Sequence, residues 1–367
     1  MTNLNKNEFT LGHTQIAKGI AILLMVYHHL FVIPERLNYN YLSVVNLLGL
    51  DIQAVLANFS KICVCIFVFL SGIGLFYSLS KEKSLFSMYK KVGIKALSFL
   101  FNFWIIAIIL FPIGLVTEFF TFDISCIIRV VFADNSSVME WWFVRQYIVL
   151  LIIAPPLTFC FTQKPIIKRI IPLFAIGMIW LFINRLVKFD FINTDNIFFD
   201  YYTYFANLPC ILTFIMGFIF AKFNLFSYYI KIRYLKLCSI LLICIAFAIR
   251  LIFSNTAASM KADFIVVPLF VIGATALMYK TQISKVLCYF AKHSTNIWLT
   301  HTFWCYYFFQ NIVLKPYYSP LIYLWLLILS LLSSYVINLV YVPLNNLLFS
   351  KEHKLSYKNY FYLKKNS

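Results

Sequence analysis

Charge is what this sequence has least of. Only 12% of its 367 residues are Asp, Glu, Lys or Arg, and 13 are acidic, where a soluble chain carries about a quarter of charged residues. Glycine is scarce too, at 10 in the whole chain. None of the glycine patterns that cradle phosphates or present a nucleophile is present: no Walker-type loop, no Rossmann turn, no Gly-x-Ser-x-Gly elbow. No metal site emerges, since adjacent histidines such as His28 and His29 diverge by ~100° on a helix and do not readily chelate one ion. Disulfides are not indicated either. Eight of the nine cysteines (Cys63, Cys65, Cys160, Cys210, Cys238, Cys244, Cys288, Cys305) lie in or beside apolar runs and read as packing thiols, and Cys126 has no obvious partner.

What fills the space is hydrocarbon. The chain is 62% hydrophobic, with apolar residues gathered in runs long enough to cross a bilayer near 15–34, 58–79, 93–116, 142–161, 166–185, 202–221, 237–254, 263–280, 286–312 and 321–349. The expected fold is an all-α polytopic membrane protein, a bundle of about ten transmembrane helices. The first run lacks a small-x-small cleavage site and reads as a retained helix. Lys315-Pro316 marks the turn between the last two runs, which are long enough to be tilted or broken.

Orientation follows from the connectors. One set carries Lys81 to Lys95, Lys164 to Arg169, Lys222 to Lys236, Lys280 and Lys285, and the tail from Lys351; the alternate set holds most of the acids, including Glu35, Asp51, Glu118, Glu140 and Asp263. The sets alternate without exception, which predicts both termini in the cytoplasm. The net charge of +18 is therefore a topological signal. It is spread through short loops rather than gathered in a patch, which argues against a nucleic-acid partner. With no Gly/Ser-rich linker or large soluble insert, residues 1–350 form a single membrane domain and 351–367 a basic tail.

Four stretches carry chemistry. In the first, KGIAILLMVYHHLF, eleven positions separate Lys18 from His29, three helical turns plus about 20° and a rise of ~16 Å. A cation then sits at the cytoplasmic mouth and an imidazole near the midplane, where an ionisable group is a functional candidate by default. The second, Phe69-Leu70-Ser71-Gly72, has small residues that let a helix or a ligand approach the backbone. The third, Glu140-Trp141-Trp142-Phe143-Val144-Arg145, places a guanidinium one turn inside a span, where it needs Glu140 or an anionic or hydroxyl-rich ligand. The fourth, Ser294 to His301, buries Thr300 and His301 in the ninth run. Each has a structural alternative: a snorkelling lysine, close helix packing, an interfacial tryptophan anchor, a satisfied core histidine.

In this order the pieces resemble the acyltransferase 3 family of integral membrane acyltransferases, over roughly residues 14–345. Lys18 and His29 are similar to its Arg-x10-His element, Phe69 to Gly72 to its Phe-x-Ser-Gly segment, and Trp142-Phe143 with Pro155-Pro156 to its Trp-Phe-Leu...Pro stretch. PCILTFIMGFIFAK, from Pro209, and Ser294 to His301 look like two further family segments, Trp298 standing where tyrosine is usual. The resemblance implies transfer of an acyl group, usually acetyl, from cytoplasmic acyl-CoA to a hydroxyl of a cell-surface glycan or lipid-linked sugar, by a multi-pass protein of the bacterial plasma membrane. On this reading His29 is catalytic. Lys18, Ser71, Lys90 and Lys91 face the coenzyme, Trp142, Arg145 and His301 face the acceptor, and membrane lipid surrounds the chain. Lysine in the arginine position keeps the charge but loses the planar fork that grips phosphate bidentately. The alternative class is a secondary transporter or polysaccharide exporter, though no internal repeat or matching pair of broken helices supports it.

Overall fold

A computed structural model gives the fold and describes residues 9–38, 40–44, 46–47, 50–120, 123–133, 138–162, 208–253 and 262–362; the run expected at 166–185 lies outside the described residues. The described chain is helical: α1 (Leu11–Phe31), α2 (Ile52–Ser60), α3 (Cys63–Leu79), α4 (Leu85–Val116), α5 (Ile124–Val131), α6 (Trp142–Thr162), α7 (Leu208–Lys222), α8 (Leu225–Tyr229), α9 (Leu235–Ile252), α10 (Asp263–Met278), α11 (Gln282–Thr302), α12 (Gln310–Leu314) and α13 (Ser319–Tyr362). The described residues also hold a two-residue antiparallel ladder, β1 (Asn46–Leu47) with β2 (Leu50–Asp51), in the connector after α1, and an isolated bridge between Leu42 and Tyr318. Among the described residues, five helices are long and apolar enough to cross a membrane: Ile52–Leu79, Leu85–Val116, Met139–Thr162, Leu235–Ile252 and Ser319–Phe349. Each falls on an expected run. Two shorter apolar helices, Cys210–Lys222 and Asp263–Met278, fall on two more.

The helices that carry the histidines are not among the five: at 21 residues each they are long enough, but their Lys, His, Gln, Ser, Thr and Asn side chains make them less apolar. From His293 to Thr302, α11 buries every residue but Thr295, and α1 buries Ile16, Ala17, Gly19, Ala21, Ile22, Met25, Val26, Leu30 and Phe31. Both are interior helices, so their polar side chains face protein rather than lipid. They run parallel in close contact: a Cβ added to Gly19 would lie 2.1 Å from the Leu287 carbonyl oxygen, and farther along both helices His29 meets His301. The run expected over 286–312 is broken. Past Thr302 the chain takes one π-helical turn, Phe303–Tyr307, then α12, and reverses beyond Lys315-Pro316 through Tyr317 at φ 65°.

A second crossing explains two of the sequence segments. A Cβ on Gly72 of α3 would lie 2.4 Å from the Phe214 carbonyl, and one on Gly217 of α7 would lie 2.3 Å from that of Phe69. Phe69 to Gly72 and the PCILTFIMGFIFAK helix are thus the two halves of one backbone-to-backbone contact. Elsewhere α9 and α10 share a buried ion pair, Arg250 to Asp263 at 2.6 Å, with side chains 1% and 0% exposed. The eight cysteines of the apolar runs are free thiols. Gly72→Ala should lower stability by about 1–3 kcal/mol through overpacking. Gly74, with nothing within 4 Å of its added Cβ, is the control, and thermal melting in detergent compares the two: equal melting of Gly72→Ala and Gly74→Ala would remove the contact as the segment's role.

Candidate active site

The site begins at the C-terminal end of α1, where two histidines point to different neighbours. His28 Nδ1 lies 2.8 Å from the Ala57 carbonyl of α2, which only accepts, so that nitrogen carries the proton and the ring ties two helices together. His29 Nδ1 lies 2.7 Å from His301 Nε2, with the rings 5.0 Å apart and near-parallel. His301 is itself fixed: its Nδ1 lies 2.9 Å from the carbonyls of both Ile297 and Trp298, on its own helix. Those acceptors place the His301 proton on Nδ1. A neutral His301 therefore has a bare Nε2, which accepts from His29 Nδ1–H, and His29 is left with a bare Nε2. His301 is 0% exposed while His29 keeps accessible surface, so the pair offers one proton-accepting nitrogen.

Beyond His29 the connector is strapped to the π-helical turn. The Tyr306 hydroxyl donates to the carbonyl of His29, one of the α1 carbonyls left without an intrahelical partner. Arg36 lies 3.8 Å over the Tyr306 ring and donates to Glu140 at 2.9 Å, and Tyr307 donates to the other oxygen of that carboxylate. Gln310 bridges the carbonyls of Arg36 and Cys305 and accepts from the Asn38 N–H. Trp141 is buried against Phe103 and Phe303 and donates to the Leu299 carbonyl.

On the side where α1 begins, a cavity of about 490 Å³ opens between α4, α6, α11 and α13. Lys91, Lys95 and Lys292 line it, with Ser98, Asn102, Thr295, Asn296, Asn338 and the Phe99, Tyr147 and Tyr341 rings. Lys18 and Lys95 lie near enough to repel one another, as do Lys95 and Lys91. Lys91 pairs with Glu82 at 2.8 Å, holding that half-buried carboxyl below the usual carboxylate range. Among the described residues no carboxylate pairs with Lys18, Lys95 or Lys292. The arrangement is an anion-attracting mouth. No group of His, Cys, Asp and Glu able to hold a metal occurs among the described residues.

A family model described as an acyltransferase domain, Acyl_transf_3, matches residues 15–339. The chain belongs to the acyltransferase 3 family. No curated protein and no solved structure matches it.

Within this acyltransferase the residues singled out from sequence fall into three groups. His29 and His301 meet directly, and Lys91 lines the cationic cavity. Lys18 stands beside Lys95. Ser71 and Lys90 are not among the residues lining the cavity: Ser71 is half-buried beside the Gly72 crossing and Lys90 is exposed. Trp142 is half-buried edge-on to Phe143, and Arg145 is buried one turn into α6. Glu140, considered as a partner for Arg145, is held by Arg36 and Tyr307. His13 closes the N-terminal capping box of α1 and stacks on Tyr279, and His293 bonds Ser334. Sequence reasoning missed Arg36, Tyr306, Asn102, Lys95 and Lys292. Arg36 had a signal, as a cation in the connector set otherwise poor in them, and Asn102 had one as a lone amide inside an apolar run. For the outer cluster, a double-mutant cycle of Arg36→Ala and Glu140→Ala should return about 0.5–3 kcal/mol of coupling in detergent melting; additive effects would show that the pair orders nothing.

Proposed function

We propose that this acyltransferase moves an acetyl group from cytoplasmic acetyl-CoA to a hydroxyl of a cell-surface glycan or lipid-linked sugar, as a bundle of about ten spans in a bacterial plasma membrane with both termini inside. The observation that carries the reading is the His29–His301 hydrogen bond, which leaves His29 Nε2 bare and accessible. The acceptor hydroxyl gives its proton to that nitrogen while its oxygen attacks the thioester carbonyl. The C–S bond breaks, the coenzyme departs as thiolate, and His29 returns the proton to sulfur. One ester and one free thiol result. A thioester is already activated, so the step asks only for a base and for orientation. His301 is a positioning residue that sets the tautomer of His29.

The donor side is supported by Lys18, Lys95, Lys91 and Lys292, a set of ammonium groups suited to phosphates. Thr295 and Asn296 of the same cavity lie about one and a half turns before His301, ~8 Å along α11. The acceptor is assigned to the opposite side, toward Arg36 and the tyrosines, with Trp142 and Arg145 on the helix that follows Glu140.

His29→Ala should lower the rate of thiol release and acyl transfer by about 10²–10⁴-fold at unchanged melting temperature; a folded variant with the wild-type rate ends the proposal. Solute movement by the purified, reconstituted protein without thiol release would favour a transporter instead. Lys95→Ala should raise KM for acetyl-CoA several-fold with little change in kcat, and the effect should shrink as salt screens the remaining charges. A KM for Lys95→Ala equal to that of wild type would remove the cavity from donor binding.

A further inference from the structure

A second cavity lies past the lysine-lined one, and neither the histidine pair nor the lysines use it. Three helix faces pass from one cavity to the other within about a turn. Asn102 and Ile106 on α4, Asn296 and Thr300 on α11, and Tyr341 and Ile337 on α13 line the first and the second in that order, each pair four positions apart, ~6 Å of helix. The polar side chains at the junction are bonded to one another. Asn102 donates to Asn296 Oδ1 at 2.8 Å and Asn296 to Asn338 Oδ1 at 3.0 Å, an asparagine ladder running from helix to helix to helix. A chain arriving with the coenzyme meets those bonds before it meets the second cavity.

Beyond the ladder the chemistry changes. The second cavity measures about 300 Å³, and its wall is almost wholly hydrocarbon and aromatic ring. The polar side chains in that wall are already spent: the Trp304 indole donates to Ser333 Oγ at 2.9 Å, Ser333 to the Leu329 carbonyl at 3.1 Å, and Thr300 to the Asn296 carbonyl at 2.7 Å. Its open side is lipid. Leu332 and Val336, one turn apart on the α13 rim, are each 55% exposed, on the face that also carries the exposed Leu339. Its closed side adjoins the site. Phe303 in the wall has its ring 5.4 Å from that of Tyr307, and Phe308, also in the wall, lies 5.6 Å from Phe119, which leans on Tyr307 at 4.7 Å. Tyr307 is the residue that donates to Glu140.

We infer that this cavity seats the hydrocarbon tail of the acceptor, so that the hydroxyl acetylated belongs to a sugar still carried on a membrane lipid. The inference rests on the acetyl-transfer reading above and narrows its acceptor. The occupant is apolar, because the wall has no polar side chain to spare. It comes from the bilayer, because the ladder stands between this cavity and the coenzyme while the rim faces lipid. It is substrate rather than bulk lipid, because the cavity ends against the rings around Tyr307 and Glu140, where the acceptor sugar is assigned. A tail gains little by leaving one hydrocarbon medium for another, so the contribution of the cavity is placement: a tail held between α4 and α13 keeps its head group at the level of His29.

The test uses inverted membrane vesicles from cells that make the full-length protein, given acetyl-CoA radiolabelled in the acetyl group, beside vesicles that lack the protein. Protein-dependent, alkali-labile label should enter the solvent-extractable glycolipid fraction before any water-soluble or polymeric glycan. Ile109→Trp, which fills the cavity from α4, should slow glycolipid labelling severalfold at an unchanged KM for acetyl-CoA. The comparison is Ile108→Trp, at the neighbouring position, 71% exposed and outside the cavity. Label that enters water-soluble or polymeric glycan first overturns the inference, needs no variant to fold, and leaves acetyl transfer standing. Equal rates for the two tryptophan variants, or a donor KM that rises with the slowed rate, overturn the cavity as the tail site. Absence of protein-dependent label from every fraction overturns the acetyl-transfer reading itself.

Discussion

One hydrogen bond, between the imidazoles of His29 and His301, sets what the rest of the molecule must do. Two ionisable rings deep in an apolar bundle are costly to keep unless their polar atoms are satisfied. The chain satisfies all but one. The carbonyls of Ile297 and Trp298 fix His301, His301 fixes His29 Nδ1, and only His29 Nε2 is left over. The lone remaining nitrogen is the chemical product of that chain of constraints, and its orientation is inherited from the backbone of α11. In the proposed mechanism that nitrogen is the base for acyl transfer, and it points one way with no bulk water to hold it.

The architecture around the pair follows from getting two polar helices next to each other inside hydrocarbon. Apolar packing against lipid gives no preference for α1 over any other helix, so close approach and interhelical hydrogen bonds carry the association. Gly19 lets α1 reach the α11 backbone, Gly72 and Gly217 do the same for α3 and α7, and the asparagine ladder joins α4, α11 and α13. Of the long apolar helices α4, α9 and α13 then face lipid, as the exposed Ile108, Leu241, Leu332 and Leu339 show, while Ile52–Leu79 and Met139–Thr162 are mostly buried. At the far end of α1, Tyr306, Arg36 and Glu140 finish the helix and hold the connector over the site.

Much of this was legible in the sequence, because a bilayer writes in a coarse alphabet. Runs of apolar residues gave every long span among the described residues, and the histidine pair stood out since imidazoles seldom occur so deep in such runs. The pieces missed were of a different kind. Nothing local says that Glu140 faces Arg36, a residue 104 positions away, rather than Arg145 on its own helix. The π-helical turn that swings Tyr306 and Tyr307 toward them lies inside a run that reads as plain apolar helix. Asn102 is a lone amide within its apolar run, and the residues it connects to, Asn296 and through it Asn338, lie on two other helices. Lys90 and Lys91 are adjacent in sequence, yet only Lys91 lines the cavity, a distinction of helix face that the loop-lysine pattern does not carry.

The central claim is the protonation pattern of the histidine pair. It can be measured directly by ¹⁵N NMR of histidine-labelled protein in detergent, with His29 and His301 assigned from His29→Gln and His301→Gln spectra. The account predicts two neutral rings, each with its proton on Nδ1, and a bare Nε2 on His29. A His29 ring carrying its proton on Nε2, or on both nitrogens at neutral pH, would contradict it.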